Sequence, residues 1–291
     1  MHARTLELIG AAVSVSLGLA GMPNMASTSP KASGQQSLPS AAVQRQLVSV
    51  LIREEGGGQL GSGVLVGSAT GGYWVATNQH VVQEHSIICV VTADRKAAGG
   101  IVWPRIKVGT NDSMDLALIW LPHKSKDPLL VASLREKQTD PRLLTLVLAT
   151  GYPTPLQPQP DGPPYTENSG LLVPLLENPL QGGFDLSYTA DVEKGMSGGG
   201  VFEGVELVGI NGTHANPLWP GHWNRQDGKS VDDSLQQKLE LVSLGISTGK
   251  IVKLLKDALP PNAETYSGSV DKLDCDANKR PSQKQGTERK Y

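Results

Sequence analysis

The chain has 291 residues, and its 26 Lys and Arg against 28 Asp and Glu give a formal net charge of -2. This balance argues against a nucleic-acid partner, which needs a strongly basic face. The 33 Gly and 20 Pro disfavour a helical bundle and favour a turn-rich β protein. Two cysteines are too few for a disulfide scaffold or for a zinc site of four thiolates.

The N-terminal residues are typical of an export signal. Arg4 and the α-amine precede an apolar run from Leu8 to Ala20, which is too short to span a bilayer. The sequence therefore predicts a signal peptide over 1–26, a periplasmic or secreted protein, and no stable membrane insertion after its removal. A frayed amphipathic helix is the alternative. Residues 27–43 are rich in Ser, Pro and Gln and predict a linker.

Short apolar runs separated by turn residues fill positions 46–245. Their lengths and β-branched residues are typical of antiparallel strands, and no run with helical period alternates with them. A polar break at 135–141 divides them into two sets, which predicts an all-β fold of two small barrels or a sandwich. The runs are QLVSVLI, SGVLVG, YWVAT, HSIICVV, GIVWPRIKV and LALIWL, then LLTLVLAT, GLLVPLL, FDLSYTA, GGVFE and VELVGIN.

One helix is predicted near the C-terminus, where Ser247 or Thr248 can cap it. Three lysines lie opposite its apolar face. That face consists of Ile251, Val252, Leu254 and Leu255. Pro260-Pro261 stops the pattern, and the polar residues 259–291 predict a disordered tail.

Three segments carry residues that can form a nucleophilic site. His80 follows the run YWVAT, Asp115 opens the run LALIWL, and Ser197 lies in the glycine turn of EKGMSGGGVF. A serine hydroxyl needs an imidazole to accept its proton and a carboxylate to orient that imidazole. The backbone N–H groups of Gly195 and Ser197 could face one point and form an oxyanion hole. Taken singly, each of the three residues also has an ordinary structural explanation.

These segments resemble the His, Asp and Ser motifs of trypsin-like serine peptidases with the chymotrypsin fold, and they occur in the family's order. GSGVLVG at 61–67, ATGYP at 149–153 and LVGINGT at 207–213 resemble strands of the compact bacterial branch without a PDZ domain. The resemblance implies an all-β domain over about 44–258. It would comprise two six-stranded antiparallel β-barrels, at about 44–135 and 142–246, and a C-terminal α-helix.

The resemblance also implies a serine endopeptidase that hydrolyses peptide bonds of a protein or peptide substrate through an acyl-enzyme intermediate. His80, Asp115 and Ser197 would be the catalytic triad, and Gly195 and Ser197 the oxyanion hole. No cofactor is implied, and no metal, because the other histidines of the folded region lack paired spacing. Met196 stands where secreted animal enzymes carry an aspartate that pairs with a newly released N-terminus, so no such activation switch is expected.

Primary specificity follows from the same resemblance. Asp191 lies six residues before Ser197, at the position that forms the base of the primary pocket, and its carboxylate would select Arg or Lys. Ile210, Asn211 and Gly212 would form one wall of that pocket. The alternative is that Asp191 is a solvated residue and the pocket is built from other groups.

Two other functions stay open. Residues 195–199 fit the G-x-S-x-G pattern of α/β-hydrolases. That class orders its triad Ser, acid, His, however, and no histidine follows Asp227. An α/β-hydrolase esterase is therefore the weaker alternative, and an inactive protease homologue that binds peptides is the other.

The two cysteines could pair in an oxidising compartment. Cys89 nevertheless lies in the apolar run SIICVV, where a buried free thiol is the usual outcome, and Cys275 lies in the polar tail. The sequence predicts two free thiols.

Overall fold

The first half of the chain forms an antiparallel barrel in this computed structural model. Its strands are β1 (Ser49–Arg53), β2 (Gln59–Ala69), β3 (Gly72–Thr77), β4 (Ile87–Val91), β5 (Ala97–Trp103) and β6 (Ala117–Pro122). They close in the order β1-β2-β3-β6-β5-β4. The prediction of an all-β fold with a six-stranded first barrel is thereby confirmed.

Side chains of β1 alternate between the barrel interior and its outer face. Val50 and Ile52 belong to the main hydrophobic cluster, whereas Leu51 packs with Val91 and Tyr152 in a separate cluster outside the barrel. The outer face of β1 is therefore covered by the second half of the chain. This arrangement explains why all five residues of the strand are buried.

The second half forms a curled sheet. Its strands are β7 (Ser133–Leu134), β8 (Leu146–Gly151), β9 (Thr166–Leu171), β10 (Leu186–Tyr188), β11 (Gly200–Glu203), β12 (Glu206–Thr213) and β13 (Ser243–Ser247). Their order is β10-β13-β12-β11-β8-β9, and β7 pairs in parallel with β12. Among the described residues, an isolated bridge between Leu172 and Tyr188, a few backbone hydrogen bonds and the hydroxyls of Ser187 and Thr189 join the edges at β9 and β10. The expected second barrel is therefore a curled sheet without a full closing ladder.

The structure describes residues 39–103, 114–135, 145–157, 159, 162–213, 221–261, 270 and 272–275. These residues lie in one unit that begins at Pro39. The predicted signal peptide at 1–26 and most of the predicted linker lie outside the described residues. The hairpin of β11 and β12 directly follows Ser197, where an α/β-hydrolase needs a helix, so that alternative is wrong.

Four α-helices have their bounds in the described ranges: α1 (Ala41–Val48), α2 (Gln79–Val82), α3 (Asp233–Leu239) and α4 (Thr248–Asp257). A short 3-10 turn spans Gln181–Gly183. The predicted C-terminal helix is confirmed as α4, with Ser247 as its N-cap residue and Ile251 fully buried. The sequence did not predict α1, which begins inside the expected linker. The side chain of Ser40 accepts a hydrogen bond from the Val43 N–H and so begins this helix.

A buried ion pair ties α1 to the second sheet. Arg45, which is 6% exposed, donates to both carboxylate oxygens of Glu167 at 2.9 and 2.7 Å. It also donates to the Gly204 carbonyl at 2.7 Å. The hydrogen bonds that Arg45 donates to Glu167 raise the pKa of Arg45. This bidentate geometry compensates for the burial of the guanidinium.

The prediction of two free thiols is wrong, because Cys89 and Cys275 form a disulfide with their Cα atoms 5.5 Å apart. Cys89 pairs opposite Arg53 in the ladder of β1 and β4, so its side chain shares the outer face and not the barrel interior. The described part of the expected tail lies against the first barrel. Asp274 accepts a hydrogen bond from the Gly56 N–H, and Val270 lies against Gly99.

Reduction of this disulfide is expected to destabilise the protein. The bond closes a loop with a sequence separation of 186 residues, and loops of this size restrict the unfolded chain strongly. We expect Cys275→Ser to lower the free energy of unfolding by about 2–5 kcal/mol in urea titrations. A reducing agent should destabilise the wild type by a similar amount and leave Cys275→Ser unchanged. Equal stability of the oxidised and reduced wild type would contradict the bridge.

Candidate active site

His80 lies in α2, the single helical turn that follows β3. Its Nδ1 atom is 2.8 Å from Oδ2 of Asp115, and its backbone N–H donates to Oδ1 at 2.9 Å. Both carboxylate oxygens therefore fix the histidine. When Nδ1–H donates to the carboxylate, Nε2 of the neutral ring carries the lone pair that accepts a proton.

Asp115 lies just before β6 and is held from both halves of the fold. Its N–H donates to the Gly182 carbonyl at 2.8 Å, and its own carbonyl accepts from Nδ2 of Asn78 at 3.0 Å. Its side chain is 16% exposed, against 46% for that of His80. The carboxylate is thus shielded while the imidazole edge stays accessible.

The turn that carries Ser197 packs against the residues just before His80. A side chain on Gly198, which has φ +81, would collide with Thr77 Oγ1 and place its Cβ 3.0 Å from the Asn78 nitrogen. The Ser197 carbonyl accepts a hydrogen bond from the Ser62 N–H at 2.8 Å. Only glycine permits this approach and this backbone conformation. The structure therefore brings the Ser197 turn and the His80 segment together.

The Ser197 hydroxyl itself lies 3.5 Å from the Gly212 carbonyl. Among the described residues, no hydrogen bond joins it to His80. In free enzymes the bond between nucleophile and base is often long and tightens in the substrate complex.

The peptide between Lys194 and Gly195 has a defined orientation. The Lys194 carbonyl accepts a hydrogen bond from the Thr154 N–H at 2.7 Å. In a trans peptide the N–H points opposite to the C=O, so the Gly195 N–H points away from Thr154. Within the described ranges, neither the Gly195 N–H nor the Ser197 N–H donates to a protein group. Both remain available to stabilise an oxyanion.

Asn211 is fully buried, and its side chain supports this turn. Its Nδ2 donates to the carbonyls of Met196 and Thr150 at 3.2 and 2.9 Å, and its Oδ1 accepts from the Tyr188 hydroxyl at 2.8 Å. Its backbone carbonyl accepts from the Gly198 N–H at 2.9 Å. Burial raises the pKa of Tyr188, which keeps the hydroxyl protonated as a donor.

The sequence did not predict a role for two hydroxyl groups of this region, those of Ser62 and Tyr188. The Ser62 hydroxyl donates to the Gly195 carbonyl at 2.7 Å and accepts from the Tyr152 N–H at 2.9 Å. These bonds cross more than 80 residues of sequence, so no local pattern could reveal them. A lone Ser or Tyr in a strand carries no distinguishing signal.

Met196 is fully buried in the apolar cluster of the second sheet. Its cluster partners include Val192 and Val201 on either side of the turn. The turn is therefore anchored by apolar packing at the position where secreted animal enzymes use an ion pair.

Asp191 is exposed, and its place at the base of a primary pocket stays a prediction. Its neighbours Ala190 and Val192 are buried. Its backbone carbonyl accepts from Nδ2 of Asn168 at 3.0 Å. A solvated carboxylate lacks the desolvation that gives a buried ion pair its selectivity.

The other two expected wall residues occupy different environments. Ile210 is fully buried in the main hydrophobic cluster and is not available to a ligand. Gly212 lies under the Phe184 ring, whose Cδ1 is 2.8 Å from the position of a Cβ on that glycine. Phe184 in turn packs edge-on against Trp223. The described surface beside Ser197 and Gly212 is thus partly aromatic.

No three His, Cys, Asp or Glu side chains of the described chain cluster in a way that could hold a metal ion. The helices in the described ranges lack the length and apolarity needed to cross a membrane.

The chain resembles known proteins in both sequence and fold. A family model described as a trypsin-like peptidase domain matches residues 61–210. Among solved structures, the serine endoprotease from Yersinia pestis is similar, with a TM-score of 0.51 and 20% identity. That match covers 75% of this chain and 64% of the Yersinia chain, less than two thirds of its length. A search of curated proteins gives no match.

The structural similarity confirms the chymotrypsin-like fold expected from the sequence. The family model spans more than half of the chain and includes the segments of His80, Asp115 and Ser197. The chain therefore belongs to the family of trypsin-like peptidases.

Proposed function

We propose that the protein is a serine endopeptidase in which Ser197 is the nucleophile, His80 the general base and Asp115 the residue that orients it. One observation carries this proposal: the glycine turn of Ser197 packs directly against the segment that holds the His80–Asp115 pair at 2.8 Å. An inactive homologue that only binds peptides would have no need of this pair.

In the proposed reaction, Ser197 Oγ attacks the scissile carbonyl carbon while His80 Nε2 takes the hydroxyl proton. The carbonyl oxygen becomes an oxyanion and accepts hydrogen bonds from the N–H groups of Gly195 and Ser197. Asp115 remains ionised and stabilises the imidazolium. His80 then donates its proton to the leaving amine, which breaks the C–N bond and leaves an acyl-enzyme. A water molecule, deprotonated by His80, hydrolyses that ester by the same steps.

The substrate class proposed is a protein or peptide, which agrees with the family. The exposed carboxylate of Asp191 gives no support to a preference for Arg or Lys before the cut.

We also propose that the protein acts outside the cytoplasm, in the periplasm or as a secreted protein. The Cys89–Cys275 disulfide supports this location, because such bonds are rare in reducing compartments. The apolar run from Leu8 to Ala20 supports it independently.

Replacement of Ser197 tests the mechanism. Ser197→Ala removes the nucleophile, and we expect peptide cleavage to fall about 10⁴–10⁶-fold. A fluorophosphonate probe should label the wild type and not this variant. The matched control is Ser68→Ala, which removes an exposed hydroxyl in β2 and should change neither result. Equal cleavage by wild type and Ser197→Ala would contradict the assignment, and an unlabelled wild type that binds peptides would favour the inactive homologue.

The Tyr188–Asn211 pair offers a second test. Asn211→Leu removes the hydrogen bonds to the Thr150 and Met196 carbonyls and leaves the Tyr188 hydroxyl without its partner in the core, so the free energy of unfolding should fall by about 3 kcal/mol. Tyr188→Phe leaves only Asn211 Oδ1 unpaired and should cost about 1–2 kcal/mol.

The rate of labelling by the fluorophosphonate probe shows whether a folded variant also has a displaced Ser197 turn, apart from its loss of stability. The probe should react more slowly with folded Asn211→Leu than with wild type, while Tyr188→Phe should react at nearly the wild-type rate. If both variants keep wild-type stability in urea titrations, the buried network does not support the turn.

Export predicts a change of mass. Protein recovered from the periplasm or medium should lack its first 20–26 residues, with cleavage after Ala20 or Ala26. Its mass should also be two hydrogen atoms lower than that of the reduced mature chain. A mature chain that begins at Met1, found only in the cytoplasm, would refute the proposed location.

A further inference from the structure

The main chain of Asp115 is held by a turn from the second half of the chain. The Asp115 N–H donates to the Gly182 carbonyl at 2.8 Å. A Cβ on Gly183 would lie 2.7 Å from Cγ of Met114, so the next residue of the turn packs closely against the residue before Asp115. Two neighbouring contacts therefore join this turn to the segment just before β6.

This double-glycine turn, Gln181–Gly183, has few groups that fix its own position. Gly182 and Gly183 both have φ +79, in the left-handed region that favours glycine, and neither has a side chain that could be buried. The backbone groups of the turn therefore carry its contacts. The Gln181 N–H donates to the Asn224 carbonyl at 2.8 Å. The position of the Gly182 carbonyl thus depends strongly on what binds the next carbonyl of the turn.

Lys250 of α4 binds that next carbonyl. Its Nζ atom donates to the Gly183 carbonyl and forms an ion pair with Oδ2 of Asp185 at 3.1 Å. The side chains of Lys250 and Asp185 are 23% and 17% exposed, so the pair is partly shielded from solvent. Two successive carbonyls of the double-glycine turn therefore accept from different parts of the fold, the first from Asp115 and the second from Lys250.

Asp185 fixes the ammonium group of Lys250 in its place. The Asp185 carboxylate accepts hydrogen bonds from the N–H and the hydroxyl of Ser247, the N-cap residue of α4, at 2.8 and 2.7 Å. The Asp185 N–H donates to the Gly245 carbonyl of β13 at 3.0 Å. Lys250 is therefore tied at once to β13, to the start of α4 and to the double-glycine turn.

Helix stability alone does not favour a lysine at position 250. Lys250 is the third residue of α4, where the partial positive charge of the helix N-terminus disfavours a cation. The first turn of α4 contains no acidic residue that would offset this charge. The compensating carboxylate, that of Asp185, comes from outside the helix. The lysine is thus explained by its contacts with other elements and not by the helix that carries it.

We propose that Lys250 is a positioning residue for the candidate triad. Lys250 holds the double-glycine turn, the turn holds the backbone of Asp115, and Asp115 orients His80. The lysine acts through Asp115 and does not itself contact the reacting atoms. The effect on catalysis rests on the proposed peptidase function, whereas the coupling between Lys250 and Asp115 does not.

Steady-state kinetics of Lys250→Met test the effect on catalysis. This variant keeps an unbranched side chain and removes the ammonium group. We expect kcat for a peptide substrate to fall about 10–100-fold, because a small displacement of a catalytic group has an effect of this size. KM should stay within about twofold of the wild-type value, since the lysine does not bind substrate. Lys250→Arg keeps a cation with donors for both partners and should restore kcat to within about threefold of wild type.

Lys253→Met is the matched control, because it removes an exposed lysine about one turn later in the same helix and should leave kcat unchanged. If Lys250→Met does not fold, Lys250→Gln takes its place with the same expected loss of kcat. A folded variant that is less stable but has the wild-type kcat would show a merely structural role and overturn the proposal. A raised KM at unchanged kcat would overturn it as well.

Amide hydrogen exchange measured by NMR tests the coupling without catalysis. The Asp115 amide should exchange about tenfold faster in Lys250→Met than in wild type, relative to the Ile119 amide, because its acceptor is held less firmly. Ile119 lies between β3 and β5 in the same barrel, so its amide corrects for changes in global stability. An unchanged ratio would overturn the positioning role. A raised ratio in a protein whose wild type cleaves nothing would retain the coupling and reject the peptidase.

Discussion

The close contact between a side-chain-free turn and the end of β3 is the constraint on which the candidate site depends. Gly198 has no Cβ, so the chain that carries Ser197 can touch Thr77 and Asn78, the residues just before His80. A larger residue at this position would collide with Thr77 and push the turn of Ser197 away from the segment of His80. The contact between the barrel and the curled sheet at this point therefore depends on the lack of a side chain at Gly198.

The turn would be mobile if this contact acted alone. Asn211 forms hydrogen bonds with the Met196 carbonyl and the Gly198 N–H of the turn. Ser62, in the first barrel, donates a hydrogen bond to the Gly195 carbonyl. Because a buried amide without partners is costly, this network permits few alternative positions of the turn. The geometry of the candidate oxyanion hole is thus fixed in the free protein, and a fixed hole of this kind needs no reorganisation during a reaction.

Local patterns predicted the strands of the first barrel and helix α4, because alternation and capping act over a few residues. The same patterns missed β13 and α3, whose apolar residues in QKLELVSLGIS fit neither period well. The triad candidates could be predicted because their motifs are local, whereas the roles of Asn211 and Cys89 depend on partners far along the chain. The role predicted for Asp191 rests on counting back from Ser197, and such a count does not report which way a side chain points.

The disulfide has a consequence for survival of the molecule in the presence of proteases. Cys89 lies in the first barrel and Cys275 follows the whole second sheet, so a single backbone cut anywhere between them leaves both fragments covalently joined. The Pro-rich stretch from 152 to 165 lies within this interval, as does Ser197. A nicked chain would therefore retain both halves of its candidate site on one particle. If one copy of the protein cuts another in this interval, the disulfide keeps the two fragments in one molecule.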